Sequence, residues 1–165
     1  MGRLPRRRGE GAGLPRPLRL RAPSLNPTTI EPLSRELRER LEAFHGAPLG
    51  DVRLVRGALA VAVTRIARAW AVTLGPFIFL AAGEENEALI AHETTHVLQF
   101  RELGLRRFLV RYLAQWRAAG HRYEDIALER AAFAEESRFL RETQTERGDE
   151  RLAAAHEGRE QPVEP

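Results

Sequence analysis

Two histidines four residues apart, with a glutamate directly after the first, stand in the run His92-Glu93-Thr94-Thr95-His96. On a helix, residues i and i+4 lie one turn apart on the same face, so both imidazoles reach one tetrahedral metal ion. Glu93 falls on the adjacent part of that face, within reach of a metal-bound water but outside the ligand set. Zinc at such a pair lowers the pKa of its bound water toward neutrality and polarises a carbonyl, while the glutamate passes the water proton to a leaving amine. These groups fit peptide-bond hydrolysis, with Glu93 as general base, His92 and His96 as metal ligands and Zn2+ as cofactor. A histidine pair at this spacing also occurs on solvated helix surfaces. The apolar flanks Ala88, Leu89, Ile90 and Ala91 on one side and Val97 and Leu98 on the other argue for a buried face.

A third protein ligand is required. The extended motif with Gly at position 99 and His at 102 is absent, because Gln99 and Glu102 stand there, which excludes a metzincin. The other common solution is a glutamate on a later helix, the gluzincin arrangement. Glu129 is the choice, 33 positions after His96, with room for one helix to run out and the next to return. Ala131 and Ala132 would let that returning helix approach closely. Glu124, Asp125 and His121 compete for the role, and each acid also reads as a solvated charge at a helix start. Tyr123, Tyr112 and His121 are candidate donors to the oxyanion formed when water attacks the carbonyl, and each also reads as packing or surface.

The elements that position these groups follow from periodicity. Residues 32–44 carry Leu33, Leu41 and Phe44 among Arg and Glu, an amphipathic helix closed by Gly46 and Pro48. A short strand at 51–55, a helix at 58–69 and a strand at 70–73 follow, with Gly75-Pro76 turning into a further strand, Phe77-Ile78-Phe79-Leu80. These strands make a small sheet, and the strand at 77–80 reads either as internal or as a free edge for an extended peptide. Glu84 and Glu85 open the helix that carries the motif, and Gly104 ends it. Residues 105–119 form the next helix, broken by Gly120, and a last helix runs from about Tyr123 to Leu140.

Composition sets the frame. At 165 residues and 43% apolar residues, one domain is expected, and the weight of Ala, Leu and Val favours packed helices, giving an α+β class dominated by helix. Cysteine is absent, which removes disulfides, thiolate zinc knuckles and cysteine nucleophiles and leaves His and carboxylate as the metal ligands. All 26 basic residues are Arg. Residues 1–30 hold seven of them against Glu10, with five of the ten prolines, and read as a disordered basic arm. Residues 31–141 are expected to form the domain and 142–165 a flexible tail. Phosphate attraction could bring the arm to nucleic acid, but an Arg-for-Lys composition accounts for the cluster as well, and nucleic acid is not the expected partner. No signal peptide and no apolar stretch of membrane-spanning length are visible, so synthesis in the cytoplasm is expected, with export by a signal-independent route left open.

From Leu33 to about Phe139, the sequence resembles the small HExxH domain found with extracellular contractile injection systems. The marks are residues 37–46 before Asp51-Val52-Arg53, then Ala67-Arg68-Ala69-Trp70 with Gly75 and Phe77-Ile78-Phe79, and above all Leu89-Ile90-Ala91 running through the motif to Gln99. A later Tyr followed by Glu-x-x-Ala is similar to Tyr123 and Glu129-Arg130-Ala131-Ala132, so the resemblance also implies Glu129 as third ligand. Leu54-Val55 and Ile126-Ala127 depart from the family pattern without removing a proposed ligand. The resemblance implies a zincin-like fold, metallopeptidase activity on a protein or peptide substrate, and secretion-particle components as partners. The alternative is a non-catalytic binding or effector module on the same fold.

Overall fold

The computed structural model describes residues 26–81 and 86–157. The expected arm up to residue 25, Glu84 and Glu85 as helix openers, and residues 158–165 of the expected tail lie outside the described residues. The described elements run β1 (Thr29–Pro32), α1 (Arg35–His45), β2 (Arg53–Arg56), α2 (Ala58–Ala67), β3 (Ala71–Leu74), β4 (Phe77–Leu80), α3 (Glu87–Ala118), a 3-10 turn (Tyr123–Asp125) and α4 (Ala127–Glu157). The protein is mostly helical with one small sheet, as its composition predicts. No helix among the described residues is long and apolar enough to cross a membrane.

The sheet has four strands in the order β1-β2-β4-β3. β2 and β4 are parallel, joined through α2 and β3, while β1–β2 and β3–β4 are antiparallel. β4 is therefore internal, against the edge reading of the 77–80 strand, and among the described residues the sheet edge on the side of the motif helix is β3. β1 was not expected, since its residues fell at the junction with the arm. All four of its residues are exposed, so no apolar alternation marks it, and Pro32 is tolerated because the strand is at an edge.

Local chemistry sets the helix starts. Ser34 caps α1, its hydroxyl accepting from Leu37 N at 3.3 Å, and Gly46 closes it in the left-handed conformation. α3 begins at Glu87, with Asn86 Oδ1 accepting from Ala88 N at 2.9 Å, so an Asn cap starts the described helix. Gly104, with φ 71° and ψ 154°, is not helical and ends the motif helix as expected, so α3 is two helical halves, 87–103 and 105–118, that meet at a kink. α4 runs past the expected helix end at Leu140 to Glu157. The continuation packs near its start: Thr143 is buried and its hydroxyl accepts from Arg40 Nη2 at 3.1 Å, a polar contact that an apolar periodicity does not register.

The main core lies between the sheet, α1, the first half of α3 and α4, and is built from Leu33, Leu41, Leu49, Leu54, Ile78, Ile90 and Phe139 among others. A second cluster of Phe100, Phe108, Ile126 and Leu128 closes the second half of α3 onto the start of α4. The motif helix is sandwiched between the two. It is pinned to α1 by Thr94, whose hydroxyl donates to Ala91 O at 3.0 Å and so accepts from His45 Nε2 at 3.0 Å.

Burial, reinforced by Arg138 and only partly opposed by Glu135, pushes the His45 imidazole down to about 4. Its unfolded counterpart takes up a proton near the ordinary value of about 6.5. Between these two values the unfolded chain binds more protons than the folded one, so stability falls as pH drops through this window and is unaffected above it. Urea midpoints compared at neutral pH and at about pH 5 are expected to fall more for the wild type than for His45→Gln. Equal falls would remove His45 as the source.

Candidate metal centre

α3 presents His92 and His96 one turn apart, and the rings meet edge to face with centroids 5.0 Å apart. Their Nε2 atoms lie 3.2 Å from each other. α4 runs back along the first half of α3, with Leu128 at Gln99, Glu136 at His92 and Arg147 at Glu87, and brings Glu129, whose Oε2 lies 3.3 Å from both Nε2 atoms. Three ligand atoms from two helices thus form a nearly equilateral triangle. A tetrahedral ion with bonds of about 2.0 Å separates its ligand atoms by about 3.3 Å, so the triangle has the size of one face of such a coordination shell. Glu129 Oε2 is also fully buried without a well-aligned hydrogen-bond donor, an orphan acceptor of the kind a cation satisfies. Among the described residues, His92, His96 and Glu129 form the group that could hold a metal ion.

The second nitrogen of each histidine is also held. His92 Nδ1 lies 3.1 Å from Glu136 Oε2, and His96 Nδ1 lies 2.9 Å from Gln99 Oε1. Gln99 in turn donates through Nε2 to Leu128 O at 3.1 Å, tying the histidine's orientation to the backbone beside Glu129. Acceptors at both Nδ1 atoms fix the tautomer that leaves each Nε2 lone pair free for a metal. Phe133 packs on His92 with centroids 4.6 Å apart, and Phe108 stands 6.2 Å from His96.

Glu93 is buried beside the pair, and its Oε2 accepts a 2.7 Å bond from the Thr73 hydroxyl on the edge strand β3. Burial raises the Glu93 carboxyl above the ordinary range, with His96, Thr73 and His92 opposing part of that rise. Burial also pushes Glu129 up, but the two imidazoles 3.3 Å away and the Tyr123 hydroxyl outweigh it and hold the carboxyl well below the usual range. His96 shows the converse: burial lowers it, yet Glu129 and Glu93 together carry it above the ordinary value. The Tyr112 and Tyr123 phenols are raised by burial and by the facing Glu129 charge, so both keep their protons.

The sequence-level candidates divide accordingly. His92, Glu93, His96, Glu129, Tyr112 and Tyr123 come together. His121 does not: it sits on an exposed turn in the left-handed conformation, its ring edge-on to Trp116 at 4.2 Å. Glu124 and Asp125 are exposed and face Arg122, which leaves Glu129 alone among the proposed acids. Ala132 is buried where α4 approaches α3, whereas Ala131 points to solvent. Thr73, Gln99 and Glu136 were missed. Glu136 lies seven residues after Glu129 and Gln99 three after His96, both on the site faces of their helices, so helical spacing could have found them.

Residues 32–104 match the family model of the eCIS core domain. The match supports an association with extracellular contractile injection systems. It covers under half of the chain, from the end of β1 to the kink of α3, and so contains His92, Glu93 and His96 but stops short of Glu129. No curated protein and no solved structure matches the chain.

Replacing Gln99 by Leu removes the acceptor at His96 Nδ1 and the tie to Leu128 O. Metal affinity, measured by competition with a chromophoric chelator, is expected to fall by about 10- to 100-fold with the helix content unchanged. Wild-type affinity in this variant would remove Gln99 from the centre.

Proposed function

We propose that the chain is a zinc-dependent metallopeptidase of zincin-like fold, acting on protein or peptide substrates in the setting of a contractile injection system. The observation that carries this reading is the convergence of His92 Nε2, His96 Nε2 and Glu129 Oε2 at 3.2–3.3 Å, with the carboxylate of Glu93 buried alongside. Two imidazoles and one carboxylate, with no thiolate in the chain, are a donor set that suits zinc and leaves a fourth position open. When bound, zinc supplies a Lewis acid that polarises a carbonyl and makes water nucleophilic near neutral pH.

The chain's own residues supply the rest. Glu93, raised by burial, is suited to take a proton from water and return it to the leaving amine, and Thr73 holds its Oε2 in place. Tyr112 and Tyr123 stay protonated beside Glu129 and serve as donors to a developing oxyanion. Glu136 and Gln99 orient the two imidazoles. Among the described residues β3 is the sheet edge beside α3, the place where an extended substrate would add as a strand.

A second reading rests on the closure of the site. His92, Glu93, His96 and Glu129 are each only 2–6% exposed, and Thr73 occupies one oxygen of Glu93. A metal-stiffened binding or effector module would carry the same contacts and need no open path for a substrate.

Zinc-loaded protein incubated with fluorescently labelled casein separates the two. The metallopeptidase reading predicts cleavage that Glu93→Gln lowers by at least about 100-fold while zinc is retained. Equal rates in wild type and variant, or no cleavage by either, would favour the module.

A further inference from the structure

Beyond the kink at Gly104, the second half of α3 has two apolar faces. The inner one, Phe108 and Tyr112, closes the metal centre and the second core cluster. The outer one carries Leu105, Leu109, Leu113 and Trp116, at offsets of 0, 4, 8 and 11 residues, which place them in a single stripe about 17 Å long. They are respectively 56%, 42%, 55% and 38% exposed, and Val110 beside them is 63% exposed. No other element among the described residues covers this stripe. Scattered exposed apolar residues are ordinary, but a continuous row on one helix marks a contact surface.

The charge on the same helix is one-sided. Residues 105–118 contain Arg106, Arg107, Arg111 and Arg117 and no acid. All four are exposed, and none is in an ion pair among the described residues, whereas the neighbouring Arg101 is bound to Asp51 and Pro48 O and Arg122 to Asp125. Arg106 and Arg117 project beside the Leu stripe, and Arg107 and Arg111 lie farther round the helix. The occupant of this surface is therefore anionic at its border and apolar at its centre.

We propose that the outer face of residues 105–118 docks on an anionic lipid bilayer, with Leu105, Leu109, Leu113 and Trp116 at the acyl boundary and Arg106 and Arg117 at the headgroups. A convex single-helix face suits a deformable interface, whereas recognition of a partner helix calls for a groove. Nucleic acid would satisfy the arginines but leave the Leu and Trp row against a hydrated phosphate backbone. Docking would hold the metal centre, which lies under the inner face of the same helix, about one helix diameter from the headgroups.

Flotation of the full chain with vesicles of phosphatidylcholine and phosphatidylserine, beside phosphatidylcholine alone, tests this. Wild type is expected to float with the anionic vesicles only. Leu109→Asp with Leu113→Asp is expected to lower that partition by about tenfold or more through lost insertion, and Arg106→Glu with Arg117→Glu by a similar factor through lost attraction. Both variants alter only exposed side chains, and unchanged circular dichroism and metal content verify their fold. In a Trp70→Phe background, Trp116 emission is expected to shift to the blue on adding the anionic vesicles. The N-terminal arginines remain in every variant, so undiminished flotation of both pairs would assign binding to them and overturn the proposal. Failure of wild type to float, equal binding to both vesicle types, or a wild-type dimer that the Leu variant makes monomeric would also overturn it.

Discussion

A carboxylate buried against two imidazoles is held in a low-dielectric site only if a cation balances it, and the Glu129 contact with His92 and His96 is where this protein meets that constraint. Glu129 and Glu93 together carry the His96 imidazole above its ordinary value, so the two carboxylates favour positive charge at this point. A divalent ion at the same point would supply that charge and satisfy the orphan Oε2. The surrounding contacts hold the groups in register: Gln99 fixes His96 to the α4 backbone, Glu136 fixes His92, and Thr73 holds Glu93 against the sheet.

This constraint explains the shape of the helical half of the molecule. α3 must be straight through the motif so that both imidazoles share a face, and it must then turn so that the chain can come back. Gly104 makes that change of direction, and Gly120 with His121, both at positive φ, start the return toward Ile126. Phe100, Phe108, Ile126 and Leu128 pack in the space this creates, and their cluster sets the depth at which Glu129 enters. Ala132, one turn further along α4, has too small a side chain to hold the helices apart.

Much of this was legible in the sequence because it is written in short-range periodicity. The motif helix, α1, α2, the Gly75-Pro76 hairpin and the choice of Glu129 rest on spacings of two, three or four residues, and on a resemblance for the last. The missing parts depend on long-range partners. β1 is fixed by its ladder to β2, the far part of α4 by Arg40 reaching Thr143, and the edge position of β3 by sheet order that no local pattern encodes. His121 was attractive as a chemical type, but its left-handed backbone turns it onto Trp116. Gln99 was weighed only as the absence of a glycine, although its place one turn after His96 gives it the histidine's second nitrogen.

The most direct measurement is the metal content of the full chain after equilibration with zinc and removal of the excess, by mass spectrometry, for wild type beside Glu129→Ala. The account predicts about one zinc per wild-type chain and its loss in the variant. No zinc in the wild type, or equal zinc in both, would contradict it.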